Sequence, residues 1–204
     1  MNKLRFAIIW CLLLGILVSC GDKEEDPSPT TAELDYQPYS KGSTWTYGGD
    51  KPYTITATGN TKEIEGKTFS EFETKQDSET WKSYFLKEKD VYTAVGMHPT
   101  MGNIAIDFLK VETPEGKPWY QTNTINGIET KMTFTIIAKG LSKTVEGKTY
   151  QDVIHVQMNS TYIFMGEEVE LDLPTDYFWA KGVGLILTDA GPLGKMPLTT
   201  YNIK

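Results

Sequence analysis

The chain has 204 residues, 39% hydrophobic and 12% aromatic, with 20 Lys plus Arg against 27 Asp plus Glu for a formal net charge of −7. That length can bury a core of its own. The acid excess sets the protein against phosphate backbones and anionic lipid, so nucleic acid is not an expected partner.

At the N-terminus Lys3 and Arg5 precede the apolar run Phe6 to Val18, which is too short to span a bilayer but fits a signal-peptide core. The run ends in Leu17-Val18-Ser19-Cys20, which resembles the lipobox of bacterial lipoproteins. The resemblance implies cleavage before Cys20 and a lipid on that cysteine, so the membrane is the expected partner through Cys20. Lys3 and Arg5 leave with residues 1–19, which takes the net charge from −7 to −9, and Cys11 leaves too, so no disulfide is expected. Gly21 to Thr31 (GDKEEDPSPTT) has nothing apolar to bury and reads as a disordered acidic tether over residues 20–35. Its acidic cluster directly after the cysteine resembles the export signal of Bacteroides-type outer-membrane lipoproteins. That implies an outer-membrane, lipid-anchored protein on the cell surface, with the periplasmic face as the alternative.

The folded part, residues 36–204, reads as strands. Lys41-Gly42 turns the chain into a first strand with Trp45 and Tyr47 on one face, and Gly48-Gly49-Asp50 closes it. Tyr53, Ile55 and Ala57 alternate with threonines, the period of two that a half-buried strand requires. Glu65-Gly66 then turns the chain toward Phe69 and Phe72, and Asp77-Ser78 precedes an aromatic strand from Trp81 to Leu86. Val91 to Val95 follows, then a loop is expected over Gly96 to Asn103. Ile104, Ile106 and Phe108 restore the alternation, and Trp119 to Ile125 runs into Asn126-Gly127, a pair suited to a type I′ hairpin turn. Met132, Phe134, Ile136 and Ala138 share one face, as do Ile154, Val156 and Met158. A turn on Gly166-Glu167 is expected to pair Phe164 with Val169 and Tyr162 with Leu171, before Asp176 to Ile186 leads to a last strand around Leu198 to Ile203.

One stretch occurs twice. Residues 54–68 (TITATGNTKEIEGKT) align without a gap to residues 135–149 (TIIAKGLSKTVEGKT), and nine of the fifteen positions are identical, among them Gly59/Gly140, Lys62/Lys143 and Gly66/Gly147. The expected fold is therefore all-β: an antiparallel meander of roughly ten to thirteen strands forming a curved sheet, half-barrel or barrel, with an internal duplication. The two related units are expected at about 36–125 and 126–204.

Tyr177 to Ile186 (YFWAKGVGLI), with the Gly-Ser-Thr-Trp-Thr-Tyr opening at 42–47, resembles segments of exported bacterial proteins related to the lipoprotein-carrier half-barrels. That resemblance implies a curved antiparallel sheet around an apolar cavity. Read without it, Gly182-Val183-Gly184 lacks the rest of a phosphate-binding loop and marks a bend or a close backbone approach.

No catalytic motif appears. There is no H-E-x-x-H, C-x-x-C or G-x-S-x-G, so no metal, cofactor or catalytic residue is assigned. His98 and His155 read as a loop residue and a hydrogen-bonded strand residue, and Glu71 and Asp152 occupy equivalent places by duplication alone. The informative surplus is aromatic: Trp45, Trp81, Trp119 and Trp179 are the candidate ligand-binding residues, able to stack on a sugar or to line an apolar cavity. The expected function is a lipid-anchored, non-enzymatic binding or accessory protein of the cell envelope that recognises a glycan or a protein. A carrier of a lipid or other apolar small molecule is the alternative.

Overall fold

The computed structural model describes residues 35–98, 102–125, 127–170 and 173–204. Cys20, the signal segment and nearly all of the tether lie outside them. Where the sequence alternates, the chain pairs. β1 (Thr44–Tyr47), β2 (Tyr53–Ile64), β3 (Lys67–Gln76), β4 (Glu79–Glu88), β5 (Val91–His98) and β6 (Gly102–Lys110) follow one another as an antiparallel meander. A second meander runs through β7 (Pro118–Ile125), β8 (Ile128–Val145) and β9 (Lys148–Phe164), with the short β10 (Glu167–Glu170) folded back on β9. It continues through β11 (Thr175–Ala180), β12 (Gly184–Asp189) and β13 (Lys195–Asn202). β1 pairs with β13, which joins the two meanders into one sheet, and β6 and β7 are the ends of the strand order. The result is a nearly closed antiparallel barrel.

The duplication has a concrete structural content. β2–β3 and β8–β9 carry the two copies, as second and third strands of their meanders. In each, a positive-φ glycine, Gly59 at 77° or Gly140 at 63°, sits where the register slips, between Ala57 and Thr61 or between Ala138 and Leu141. Glycine is favoured there because a Cβ strains that backbone. Pairing then resumes identically, Lys62 with Phe69 and Lys143 with Tyr150, up to Glu65-Gly66 and Glu146-Gly147. Both residues of each turn have positive φ, which defines the type I′ geometry and explains the repeated glycine. The repeated lysine also has a reason. Lys62 places its ammonium 4.8 Å from the Tyr84 ring centroid on β4, and Lys143 sits 3.9 Å from that of Phe178 on β11, the strand that holds the same place in the second meander.

Two local expectations are corrected. The loop expected over residues 96–103 is mostly strand: β5 runs to His98 and β6 starts at Gly102, with Gly96 opposite Ile104, and only residues 99–101 lie outside the description. A ladder is made by backbone groups, so glycine there weakens a strand without ending it. In the later hairpin the turn is Met165-Gly166, with φ of 53° and 84°, and Phe164 pairs with Glu167 and Tyr162 with Val169. A type I′ turn needs positive φ at both central residues, which puts glycine second, so the register moves by two residues and Tyr162 and Val169 still share a face. Leu171 lies outside the described residues.

The core has two clusters. One, around Trp45, Tyr47, Phe72 and Leu198, packs beneath the β1–β13 pairing. The other gathers Tyr92, Leu109, Trp119, Phe134, Ile136 and Trp179 from strands that flank the β6 and β7 ends.

Candidate functional site

The second cluster is not filled. Phe85 of β4 and Ile106 and Phe108 of β6 face Met132 and Phe134 of β8, Met158 of β9 and Trp179 of β11 across a cavity of about 230 Å³. Alternation puts them there: Ile104, Ile106 and Phe108 repeat every second residue, as do Met132, Phe134 and Ile136, so each strand turns a continuous apolar side inward. Phe108 stacks on Trp179 at 4.5 Å between ring centroids and meets Phe85 edge-on at 5.8 Å. The two methionines give the wall a side chain that adapts to what it touches. Tyr177 also borders the cavity, and burial pushes its phenol up to about 12.

Beside this cavity the barrel is left unzipped. No backbone ladder joins β6 to β7 among the described residues. Two side chains of β7 take its place at Asp107: the Trp119 indole N–H donates to the Asp107 carbonyl at 2.9 Å, and the Asp107 N–H donates to Gln121 Oε1 at 3.2 Å. Gln121 lies directly opposite Met132, one of the residues that line the cavity.

The four candidate tryptophans separate. Trp45 is 2% exposed and donates to the Val183 carbonyl at 2.6 Å, and a Cβ on Gly184 would lie 3.5 Å from its Nε1, so Gly182-Val183-Gly184 is the close approach that accommodates this ring. Trp119 stacks on Phe134 at 5.5 Å and holds the seam. Trp81, opposite Thr74 on β4, is half-buried. Trp179 alone of the four lines the cavity, and it lies in the segment 177–186 whose resemblance to the half-barrel proteins implied one.

The polar candidates are occupied structurally. Glu71 accepts hydrogen bonds from Thr58 at 3.1 Å, Asn60 at 3.2 Å and Lys82 at 2.9 Å, which tie down the bulge at Gly59 and hold its carboxyl below the usual glutamate range, the Lys82 bond foremost. Asp152 is exposed, so the two equivalent acids have diverged. His155 donates from Nε2 to Asp176 at 2.7 Å and stacks on Phe178. Among the described residues no group of three or more His, Cys, Asp or Glu could hold a metal. His98 has only its backbone described, opposite Gly102.

A larger cleft of about 470 Å³ opens where the described chain begins. It is bordered by Lys87, Lys89 and Lys181 but equally by Asp35, Asp90 and Glu112, so it favours neither sign of charge. Within it Lys87 pairs with Asp35, Tyr92 donates to Asp35 at 2.7 Å, and the Asp35 carbonyl takes the Gly182 N–H at 2.7 Å. These contacts fasten the end of the tether to the barrel, which gives the cleft a structural task.

No protein-family model and no curated protein matches this chain. Two solved structures share its fold. One is of "a putative lipoprotein from Parabacteroides distasonis", with a TM-score of 0.53 at 11% identity, covering 83% of this chain and 99% of the other. The second is of "a putative exported protein with YmcC-like fold" from Bacteroides fragilis, with a TM-score of 0.50 at 9% identity and the same coverage.

Proposed function

We propose that this chain is a lipid-anchored protein of the cell envelope that holds an acyl chain or a similarly slender apolar molecule between its two meanders, without transforming it. The observation that carries this reading is the apolar cavity beside the unzipped seam. The cavity is open on one side and lined almost wholly by apolar and aromatic side chains, the setting that suits a slender apolar molecule. The lipobox at Cys20 and the printed descriptions of the two fold neighbours, lipoprotein and exported protein, support the envelope setting. The outer membrane and the cell surface follow from the acidic segment after Cys20. Catalysis has no support in the polar groups, since Glu71, His155 and Asp176 are each engaged in structural hydrogen bonds.

Surface recognition of a glycan or a protein has less behind it. Stacking on a sugar needs an accessible ring face, and Trp45, Trp119 and Trp179 are all below 9% exposed. Native mass spectrometry of protein extracted from its own membranes tests the main reading. A co-purifying mass of an acyl-bearing molecule is expected, retained on the parent and lost when Ala94→Leu and Met158→Phe narrow the cavity. Identical adducts on both proteins would overturn it. Cys20→Ala should shift the protein from the membrane to the soluble fraction, and protease added to intact cells should cut a surface-displayed parent.

A further inference from the structure

The exposed apolar side chains gather at one end of the barrel. Eight large hydrophobic residues are exposed among the described residues, and five of them, Ile128, Tyr162, Met165, Val169 and Leu173, fall on the β7–β8 and β9–β10 hairpin ends and the link to β11. Single apolar residues on a surface are ordinary, whereas a group of them marks a contact. Alternate turns of an antiparallel meander share an end. These turns therefore lie opposite the β11–β12 turn, where the Asp35 carbonyl takes the Gly182 N–H and the tether joins.

β10 sits in the middle of this group. It pairs with β9 alone, so its other edge carries no ladder among the described residues. In a two-residue hairpin the residues flanking the turn exchange both hydrogen bonds, so Glu167 and Val169 bond to β9 while Glu168 and Glu170 turn their N–H and C=O groups outward. The two faces of this edge differ. Val169 lies opposite Tyr162, on the face of β9 that carries Met158. Glu168 and Glu170 lie on the other face, and Glu129 of β8 shares it through Ile163. Lys131 pairs with Glu168 at 3.1 Å, and Glu129 and Glu170 have no ion pair among the described residues.

Charge on an edge strand can serve only to keep other chains away. Guarding needs no apolar side, yet here Val169 is 50% exposed and Met165, in the turn, is 89% exposed. A second copy paired edge to edge would set glutamate against glutamate. An anionic lipid surface is repelled by the same acids. The complement is a strand that is basic on one face and apolar on the other.

We propose that the β10 edge is a docking site for an extended segment of another protein in which basic and apolar residues alternate. The segment adds as a strand beside β10 and exchanges hydrogen bonds with the outward N–H and C=O groups of Glu168 and Glu170. Its apolar side chains lie against Val169 and its basic ones against the two glutamates. This surface involves none of the tryptophans and is independent of the cavity.

The test uses the ¹⁵N-labelled mature chain without its lipid (residues 20–204 carrying Cys20→Ala) at pH 7. Three capped hexapeptides are the probes: alternating Lys-Val-Lys-Val-Lys-Val, alternating Glu-Val-Glu-Val-Glu-Val, and the block Lys-Lys-Lys-Val-Val-Val. At saturation the alternating basic peptide should slow hydrogen exchange at the Glu168 and Glu170 amides at least tenfold, with Glu167 and Val169 little changed. Glu168→Pro removes one outward N–H and leaves the ladder to β9, so it should weaken that peptide at least tenfold. Glu168→Lys with Glu170→Lys should reverse the preference toward the alternating acidic peptide. Equal binding of the block and alternating basic peptides, without amide protection, would overturn strand addition, and so would the absence of binding. Protection of Glu168 and Glu170 that grows with protein concentration alone would assign the edge to a second copy and overturn the proposal. Sedimentation with phosphatidylcholine vesicles that is lost in Met165→Asp would assign it to a lipid surface, with the same consequence. If Glu168→Pro loses β10, the charge-reversed variant decides.

Discussion

The two meanders meet twice, and the two meetings are made differently. At β1–β13 they are joined by a backbone ladder, Thr44 with Asn202 through Tyr47 with Leu198. Beneath it Trp45 and Tyr47 donate to the carbonyls of Val183 and Leu185, at 2.6 Å and 2.9 Å, inside a packed cluster. At β6–β7 the backbone ladder is missing, Trp119 and Gln121 hold Asp107 in its place, and the adjacent cluster keeps a cavity and unpaired donors. A barrel needs only one such seam to be openable. Here the packing that stabilises the fold lies at one junction and the room for a ligand at the other.

The largest effect that tests this contrast is truncation. Trp45→Ala should cost about 3–5 kcal/mol in urea unfolding, since it removes a fully buried ring and its hydrogen bond. Met158→Ala, beside space that already exists, should cost about 2 kcal/mol, the low end for a buried methionine. Equal costs would mean that the two clusters are packed alike.

Enlargement should separate them in the opposite sense. Ala57 is 1% exposed in the packed cluster, so Ala57→Leu should destabilise by about 1–3 kcal/mol. Ala94 borders the cavity, so Ala94→Leu should be neutral or stabilise by up to about 1 kcal/mol. A destabilised Ala94→Leu would show that the void does not accept a side chain.

The hairpin turns, alike in both halves, serve as the internal control. At Gly66 and Gly147 a Cβ would meet nothing within 4 Å, and φ is 75° and 76°, so Gly→Val there costs backbone strain alone. Each should lose about 1–3 kcal/mol, and the two losses should agree. Different losses would separate the hairpins energetically despite their common geometry.

The smallest effect lies at the seam. Gln121→Ala should lower global stability by about 1 kcal/mol, yet hydrogen exchange at the Asp107 amide should accelerate while β1 amides exchange as before. Uniform acceleration across both junctions would mean that the seam opens only with the whole barrel.

Much of this architecture was legible in the sequence because the relevant signals are local. Alternation of Ile104, Ile106 and Phe108 or of Met132, Phe134 and Ile136 specifies strands with one apolar side, and the paired Glu-Gly positions specify turns in which glycine is favoured. The duplication was readable for the same reason, since bulge glycine and turn glycine both act within about fifteen residues on their own hairpin, while the repeated lysine reaches a ring on the next strand of its meander. By periodicity the three buried tryptophans look alike: Trp45, Trp119 and Trp179 each sit among strand residues, and only the resemblance set Trp45 and Trp179 apart. What each one does depends on which strands the fold brings beside it. Trp45 meets a carbonyl 138 positions away, and Trp119 takes a carbonyl on the opposite edge of the sheet. Trp179 has no acceptor among the described residues and lies along the cavity. Short-range periodicity determined the strands, the turns and the repeat. Only the tertiary structure decided which aromatic ring faces open space, because that depends on which distant strands pair and which stop short of pairing.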